Sequence, residues 1–287
     1  MRRTLRIPAL AVAFLALMAG SAAAAEKPAP VVRAAISAVR HAGDGFRLSY
    51  DVYKSGFRAL SLKFDVSLGD GSYRTDARLE STGIIGWLFE WRLDAVSAGS
   101  QQQAMVRPQR YHFTNHWRGR VRSVEIAYDK GVPAEVRADP PYGDDAESTV
   151  SPDMLTSSVD PMSAVTAIVL ENANGQLCRP KTAVYDGRRR YDAQLTPLGS
   201  RTLKASNFAA YAGPAEGCQL SFERIAGFKP GDERMNKMSI NIWLADMGMG
   251  VGKIPVRLEL HTPWGIGFAH LARVRRADGT LVFGNAE

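Results

Sequence analysis

Residues 46–82 read FRLSYDVYKSGFRALSLKFDVSLGDGSYRTDARLEST, and this stretch decides the class of fold. Phe64, Val66 and Leu68 stand two apart, Gly69-Asp70-Gly71 follows, and Tyr73, Ala77 and Leu79 resume the two-residue spacing. An extended chain sends successive side chains to opposite faces, so apolar residues at alternate positions give a strand one face to bury. The Asp-Gly pair suits a two-residue turn in which both residues take positive φ. The stretch predicts strand, tight turn, strand.

The pattern continues downstream. WLFEWRLDAVSAG (87–99) reads as a further strand. In the text from residue 110 to 137, Tyr111 and Phe113 alternate with polar partners, as do Val124 and Ile126, and Asp129-Lys130-Gly131 turns the chain. Short connections between alternating runs predict an antiparallel meander. ADPPYGDDAESTVSP (138–152) then breaks it, being proline-rich and acidic, and reads as a long exposed loop.

One helix stands out, over 160–174. Asp160 can cap it and Pro161 suits its first turn. Met162, Val165, Ile168 and Val169 share a face, and Gly175 ends it. Ser151-Pro152 can open a short helical turn just before. Strands resume after Cys178 with TAVYDG, RRYDAQLTPL, CQLSFERIAGF, MSINIWLAD, IPVRLELHTPWG and FAHLARVR. The order is meander, helix, meander.

The chain begins MRRTLRIPALAVAFLALMAGSAAAAEKP, with Arg2, Arg3 and Arg6 ahead of an apolar run and small residues before Glu26. This reads as an export signal over 1–25, cleaved after Ala25; a retained membrane anchor is the competing reading. Residues 26–33 read as a disordered lead-in, and 34–287 as a single β-rich domain in the periplasm. The formal charge of +7 includes three arginines of residues 1–25 and no acid from that segment, so the remainder carries +4. That balance, without basic runs interleaved with aromatics, points away from nucleic acid. No second long apolar segment occurs, so no membrane span is expected after the leader.

The two cysteines, Cys178 and Cys218, have no companion ligand at short spacing, which disfavours a metal site. In an oxidising compartment an even pair predicts a disulfide, which would stabilise the fold by about 4 kcal/mol on the chain-entropy model.

Chemistry-bearing motifs are sparse. There is no Gly-x-Ser-x-Gly elbow, HExxH, phosphate-binding loop or dinucleotide fingerprint. His112 and His116 are four apart, but in strand-like text that separates them by about 13 Å. Asp144-Asp145 and Asp232-Glu233 lie in loop-like text and read as solvated acids. LADMGMGVGKIP (244–255) leads into a strand and reads as a hairpin connection, with Met247 and Met249 at its tip. No catalytic residue, cofactor or metal is expected.

Two features point to binding. Trp87, Phe89 and Trp91 alternate with apolar Ile85 and Leu88, as in a strand apolar on both faces. Such a strand is either packed on both sides or lines an apolar ligand site, with Trp243 and Trp264 as further lining residues. In VYDGRRRYDAQL (184–195), Asp186-Gly187 predicts a type I′ hairpin, with Tyr191, Ala193 and Leu195 on one face and Arg190, Asp192 and Gln194 on the other. Arg188 and Arg190 then form either a solvated face or an anion grip.

CRPKTAVYDGRRRYDAQL, CQLSFERIAGF and IWLAD…KIPVRLEL, together with the upstream DPMSAV and YDVYKSGFRAL, resemble an exported bacterial family known as domain of unknown function 3108, over about residues 46–275. The resemblance implies a mainly β protein, an antiparallel spiral or half-open β-barrel wrapped around one central α-helix. Such architecture is similar to that of periplasmic lipoprotein carriers and envelope-integrity proteins. The resemblance implies no established activity. The export signal, the doubly apolar run at 86–91 and the missing catalytic set suggest a non-enzymatic periplasmic protein supporting the cell envelope, holding a lipid or other apolar ligand in its concave face. A scaffold for other envelope proteins is the alternative, and a cell-wall hydrolase a more distant one.

Overall fold

The computed structural model describes residues 45–102, 105–143, 146–173, 177–178, 181–248 and 252–285. The expected leader and lead-in lie outside them. Seven strands come first: β1 (Gly45–Lys54), β2 (Phe57–Gly69), β3 (Ser72–Ser81), β4 (Trp91–Gln102), β5 (Met105–Trp117), β6 (Arg120–Asp129) and β7 (Val132–Asp139). A short helix, α1 (Gly83–Leu88), interrupts them between β3 and β4. Helices α2 (Pro152–Leu155) and α3 (Pro161–Ala173) follow. The second meander comprises β8 (Thr182–Tyr185), β9 (Arg190–Leu203), β10 (Gly213–Ala226), β11 (Ser239–Asp246), β12 (Lys253–Thr262), β13 (Gly265–Arg276) and β14 (Leu281–Phe283).

Both meanders belong to one antiparallel sheet, ordered β7-β6-β5-β4-β3-β2-β1-β13-β12-β11-β10-β9-β8, with β14 added on β13. The join is β1 on β13, where Phe46 faces Arg276 and Lys54 faces Gly267. Four hairpins close with two-residue turns at positive φ, namely Ser55-Gly56, Asp70-Gly71, Arg118-Gly119 and Lys130-Gly131. Their twist matches that of the flanking strands, which keeps each hairpin in register.

The sheet is not closed, since no ladder joins its edge strands β7 and β8. The segment between them spans the gap instead. Tyr142, Val150 and Leu155 pack into the core of the first meander. Val159 forms a parallel bridge to Val184, donating its amide to Ala183 O at 3.0 Å. The β8–β9 turn reaches the far edge as well. A Cβ on Gly187 would lie 2.5 Å from Val124 Cγ1, so only glycine allows this turn to sit against β6.

The inward alternation read from the sequence is the core. Tyr73, Ala77 and Leu79 of β3 are buried beside Leu93 and Ala95 of β4, Tyr111 and Phe113 of β5, and Val124 and Ile126 of β6. The second meander buries Tyr191, Ala193, Leu195, Leu220, Ile240 and Ile242.

Two local expectations are corrected. Helix α3 buries more than one face: Met162 enters the core of the first meander, while Ala164 and Ile168 enter that of the second. Its polar Ser163 and Thr166 are buried too. Residues 87–99 do not form one strand, because 83–88 are helical and β4 begins only at Trp91. Gly83 takes φ +60°, and a Cβ on Gly86 would lie 2.9 Å from Ser81 O. Ser81 holds the return, accepting the Trp91 amide at 3.0 Å and donating to Phe89 O at 2.8 Å.

Candidate functional site

The predicted disulfide is present. Cys178, just beyond α3, is bonded to Cys218 on β10, with Cα atoms 5.3 Å apart. It fastens the exit of the helix to the second meander.

The aromatic residues named from the sequence do not converge on one lining. Trp91 is buried in the first core and donates its indole N–H to Asn115 Oδ1 at 2.8 Å. Phe89 lies under the Arg118 guanidinium at 4.8 Å, and the same cation covers Trp117 at 5.4 Å. Trp87 is 84% exposed on α1. Helical geometry removes the alternation that would have put Trp87, Phe89 and Trp91 on one face of a strand. Trp264 sits exposed in the β12–β13 turn, where its carbonyl accepts Lys54 Nζ at 2.9 Å. Trp243 is buried in a third apolar cluster with Leu203, Ala215 and Ala245, apart from its neighbours Ile242 and Leu244 in the core of the second meander. There the Arg201 guanidinium stacks 3.7 Å from its centroid. Arg201 and Arg257 also hold Glu259, at 2.5 and 3.0 Å. Nearby His270 is pushed down to about 4 by burial and by Arg257, against the pull of Glu259.

The arginine run builds its own loop. The turn has four residues, Asp186–Arg189, and not the type I′ pair expected, because only Gly187 takes positive φ. Buried Asp186 accepts the amides of Arg188 at 3.0 Å and Arg189 at 2.7 Å, and its other oxygen accepts Arg189 Nε at 2.7 Å. Arg188 packs 5.2 Å from the Tyr142 ring and donates to Gly227 O at 3.3 Å. Arg190 pairs with Asp192 at 2.5 Å and donates to Met154 O at 3.2 Å. Their donors are turned to the protein's own carboxylate and carbonyls, so the geometry favours the structural reading of this motif over an anion grip.

His112 bonds Thr114 at 2.9 Å and His116 approaches Arg92 at 3.2 Å, so the two rings serve separate partners. Among the described residues no group of three His, Cys, Asp or Glu could hold a metal. Half-buried Asp232 pairs with Arg234, and exposed Glu233 with Lys237. Met247 is half-buried against the core rather than at an exposed tip. Asp144, Asp145 and Met249 lie outside the described residues.

A site that sequence reasoning missed lies where α3 enters the sheet. Asp160 caps the helix as expected, with Oδ1 accepting the amides of Met162 and Ser163, both at 2.9 Å. Its Oδ2 accepts the hydroxyls of Ser163 at 2.5 Å and Ser97 at 3.0 Å. Ser163 reaches Tyr73 at 2.7 Å, and Thr166 reaches Thr75 at 2.6 Å. Asp160, Ser97, Ser163, Thr75 and Thr166 are all fully buried. Burial raises the Asp160 carboxyl to about 6, although the hydroxyl and amide donors oppose that shift. No substrate can reach hydroxyls so enclosed. The arrangement anchors a helix; it does not expose a nucleophile. Its signal in the sequence was small polar residues at inward strand positions, Thr75 between Tyr73 and Ala77, and Ser97 after Ala95.

On the opposite side, α3 and the second meander leave a narrow apolar groove. Ala164 and Ile168 form one wall, with Val184, Leu195, Leu220 and Phe222 facing them. The groove takes up about 390 Å³ including its solvent-open part, and its inner space admits about one water, near 10 Å³.

These features define a mainly antiparallel β protein with one helix anchored by buried polar contacts and no assembled catalytic set among the described residues. The chain matches the model of the protein family of unknown function DUF3108 over residues 46–272, and it belongs to that family. Among solved structures it is similar to a β-barrel-like protein of domain of unknown function DUF1849 from Brucella abortus. That match has 11% identity and a TM-score of 0.49, and covers 82% of this chain and 98% of the other. It is also similar to the hypothetical protein CT021 from Chlamydia trachomatis, at 9% identity and a TM-score of 0.28, covering 84% and 92%. No curated protein matches the chain.

Proposed function

We propose that the protein is a non-enzymatic component of the periplasm that supports the cell envelope. In this reading the antiparallel sheet spirals around α3, and the groove between α3 and β8–β10 receives a slender apolar chain such as a lipid acyl tail. The observation that carries the proposal is that groove, whose walls are almost wholly aliphatic and aromatic. The groove's inner space admits about one water, so the apolar wall has to part for a tail to enter, and each methylene then removed from water contributes about 0.8 kcal/mol toward that opening. The leader-like start and the oxidised cysteine pair support an exported setting. The concave face elsewhere is filled by Tyr73, Leu93, Tyr111, Phe113 and Ile126, which is why the groove, and not the whole interior, is assigned to the ligand.

Displacement of a fluorescent fatty acid, together with native mass spectrometry of protein purified from envelopes, tests the reading. Ile168→Trp should narrow the groove and weaken probe binding, whereas Phe222→Ala should widen it and admit longer chains. Equal binding by both variants, or no bound amphiphile in any preparation, would overturn the proposal. Recovery of a stoichiometric protein partner with no amphiphile would favour the scaffold alternative.

A further inference from the structure

Antiparallel pairing fixes which connections share an end of the sheet. The β1–β2 and β5–β6 turns, α1 between β3 and β4, and the β12–β13 turn all fall on one end. They touch one another in sequence around the rim. Lys54 of the β1–β2 hairpin donates to Trp264 O, the amide of Thr82 leading into α1 donates to Ala59 O at 3.0 Å, and Arg118 of the β5–β6 turn covers Phe89.

This rim carries six of the thirteen large apolar side chains exposed among the described residues. Phe57 is 71% exposed, Trp87 84% and Trp264 51%, with Leu88, Trp117 and Ile266 beside them. At the other end the turns β2–β3 and β6–β7 show none, and the exposed apolar residue there is Met105, which opens β5. The rim is also basic. Residues 54–58, 82–92, 116–120 and 262–266 include Lys54, Arg58, Arg92, Arg118 and Arg120 against the single acid Glu90. Arg58 and Arg92 are partly neutralised by Asp51 and Asp94, but Arg118 and Arg120 are exposed with no carboxylate partner among the described residues.

We propose that this rim docks end-on to the headgroup layer of an anionic phospholipid bilayer. Tryptophan joins an apolar ring to a polar N–H and settles where hydrocarbon meets water. Arginine beside it meets lipid phosphate, and an exposed array of one sign is drawn to a negative surface. Penetration stops at the rim, because the outward strand faces behind it carry the ion pairs Arg47–Asp65 and Arg78–Asp94, which hydrocarbon does not accept. Among the described residues no helix is long and apolar enough to cross the bilayer, so contact is peripheral. The inference does not depend on the groove.

Co-sedimentation of the purified chain with vesicles of phosphatidylglycerol and phosphatidylcholine in equal parts provides the test. Binding should be accompanied by a blue shift of tryptophan emission, and it should weaken with added salt and with pure phosphatidylcholine. Trp87→Ala combined with Trp264→Ala should lower the partition coefficient about ten-fold, and Arg118→Glu with Arg120→Glu by a similar factor, with unchanged thermal midpoints because all four side chains are exposed. Ile168→Trp, in the groove, should bind vesicles like the parent. Absence of vesicle binding by the parent, or rim variants that bind as well as it does, would overturn the inference. So would saturable binding to one envelope protein that the lipid does not compete.

Discussion

On its β3–β5 side, α3 is held by directional polar contacts: Asp160 to Ser97, Ser163 to Tyr73 and Thr166 to Thr75. On its β8–β10 side the same helix turns Ala164 and Ile168 to Val184, Leu195 and Leu220, and the hydrogen bonds to β8 are those of Val159, ahead of the helix, with Ala183 O and the Tyr185 amide. Hydrogen bonds between buried hydroxyls fix a distance and an angle, and breaking one leaves a desolvated group without a partner. Apolar contact is non-directional, so a wall of this kind can widen without an equivalent penalty. The first side therefore sets where the helix sits, and the second is where it can give. The only covalent restraint among the described residues, Cys178–Cys218, is on the yielding side.

The largest expected effect tests that last point. Replacing both cysteines by alanine should lower unfolding free energy by about 4 kcal/mol, measured by urea denaturation, since a restraint between residues 40 apart is lost from the unfolded chain. The same variant should bind a longer acyl probe if the disulfide limits the groove. Loss of stability well under that figure would mean that the apolar wall holds the helix exit without help.

Next in size is a dependence on pH from the anchored side. The folded carboxyl of Asp160 sits near 6, above the ordinary 3.8, so between those values the folded state binds the proton more tightly than the unfolded one. Stability from this group is fully present below about pH 4 and is lost as pH rises through 6, a difference of about 3 kcal/mol. His270 has the opposite sign. Its folded value near 4 lies below the ordinary 6.5, so its contribution is present above 6.5 and lost as pH falls through 4. The two offset in the parent. Asp160→Asn should therefore lose stability on acidification from pH 7 to 4.5 relative to the parent, and His270→Gln should gain it. Parallel profiles for all three proteins would remove Asp160 from the account.

How much of this was legible in the sequence follows from the range of each interaction. Alternation at Phe64, Val66, Tyr73 and Leu79 and the Asp70-Gly71 turn are local, and they gave the strands and their hairpin directly. Asp160-Pro161 announced the start of α3, and the isolated cysteines announced their bond. The GWLFEW segment misled because a run apolar at nearly every position carries no period, and α1 is decided by Gly83, Gly86 and Ser81. The β1–β13 join pairs residues more than 200 apart, as Phe46 with Arg276, and no local pattern encodes it. The anchor was hidden for a different reason. Thr75, Ser97, Ser163 and Thr166 each read as an unremarkable small polar residue, and only the fold brings Ser97 and Ser163 to one carboxylate and pairs Thr75 with Thr166. Arg189, buried on Asp186, was overshadowed by its more exposed neighbours in the same run.

The smallest effect probes the anchor apart from its charge. Thr75 and Thr166 hydroxyls are 2.6 Å apart, fully buried, and distant in sequence. Thr166 also donates to Met162 O at 2.9 Å, so its removal alone strands both a carbonyl lone pair and the Thr75 hydroxyl. Valine keeps the branched shape and deletes only the hydroxyl. Each single substitution should cost about 1–2 kcal/mol, and the double variant less than the sum, with a coupling near 1 kcal/mol, because the hydroxyl that either single variant strands is absent from the double one. Matching cycles across the groove, such as Ala164→Gly with Leu220→Ala, should show weaker coupling, since nothing there depends on a particular angle. Equal coupling on both sides would erase the contrast between the anchored and yielding walls, and with it the reason for assigning the ligand to one of them.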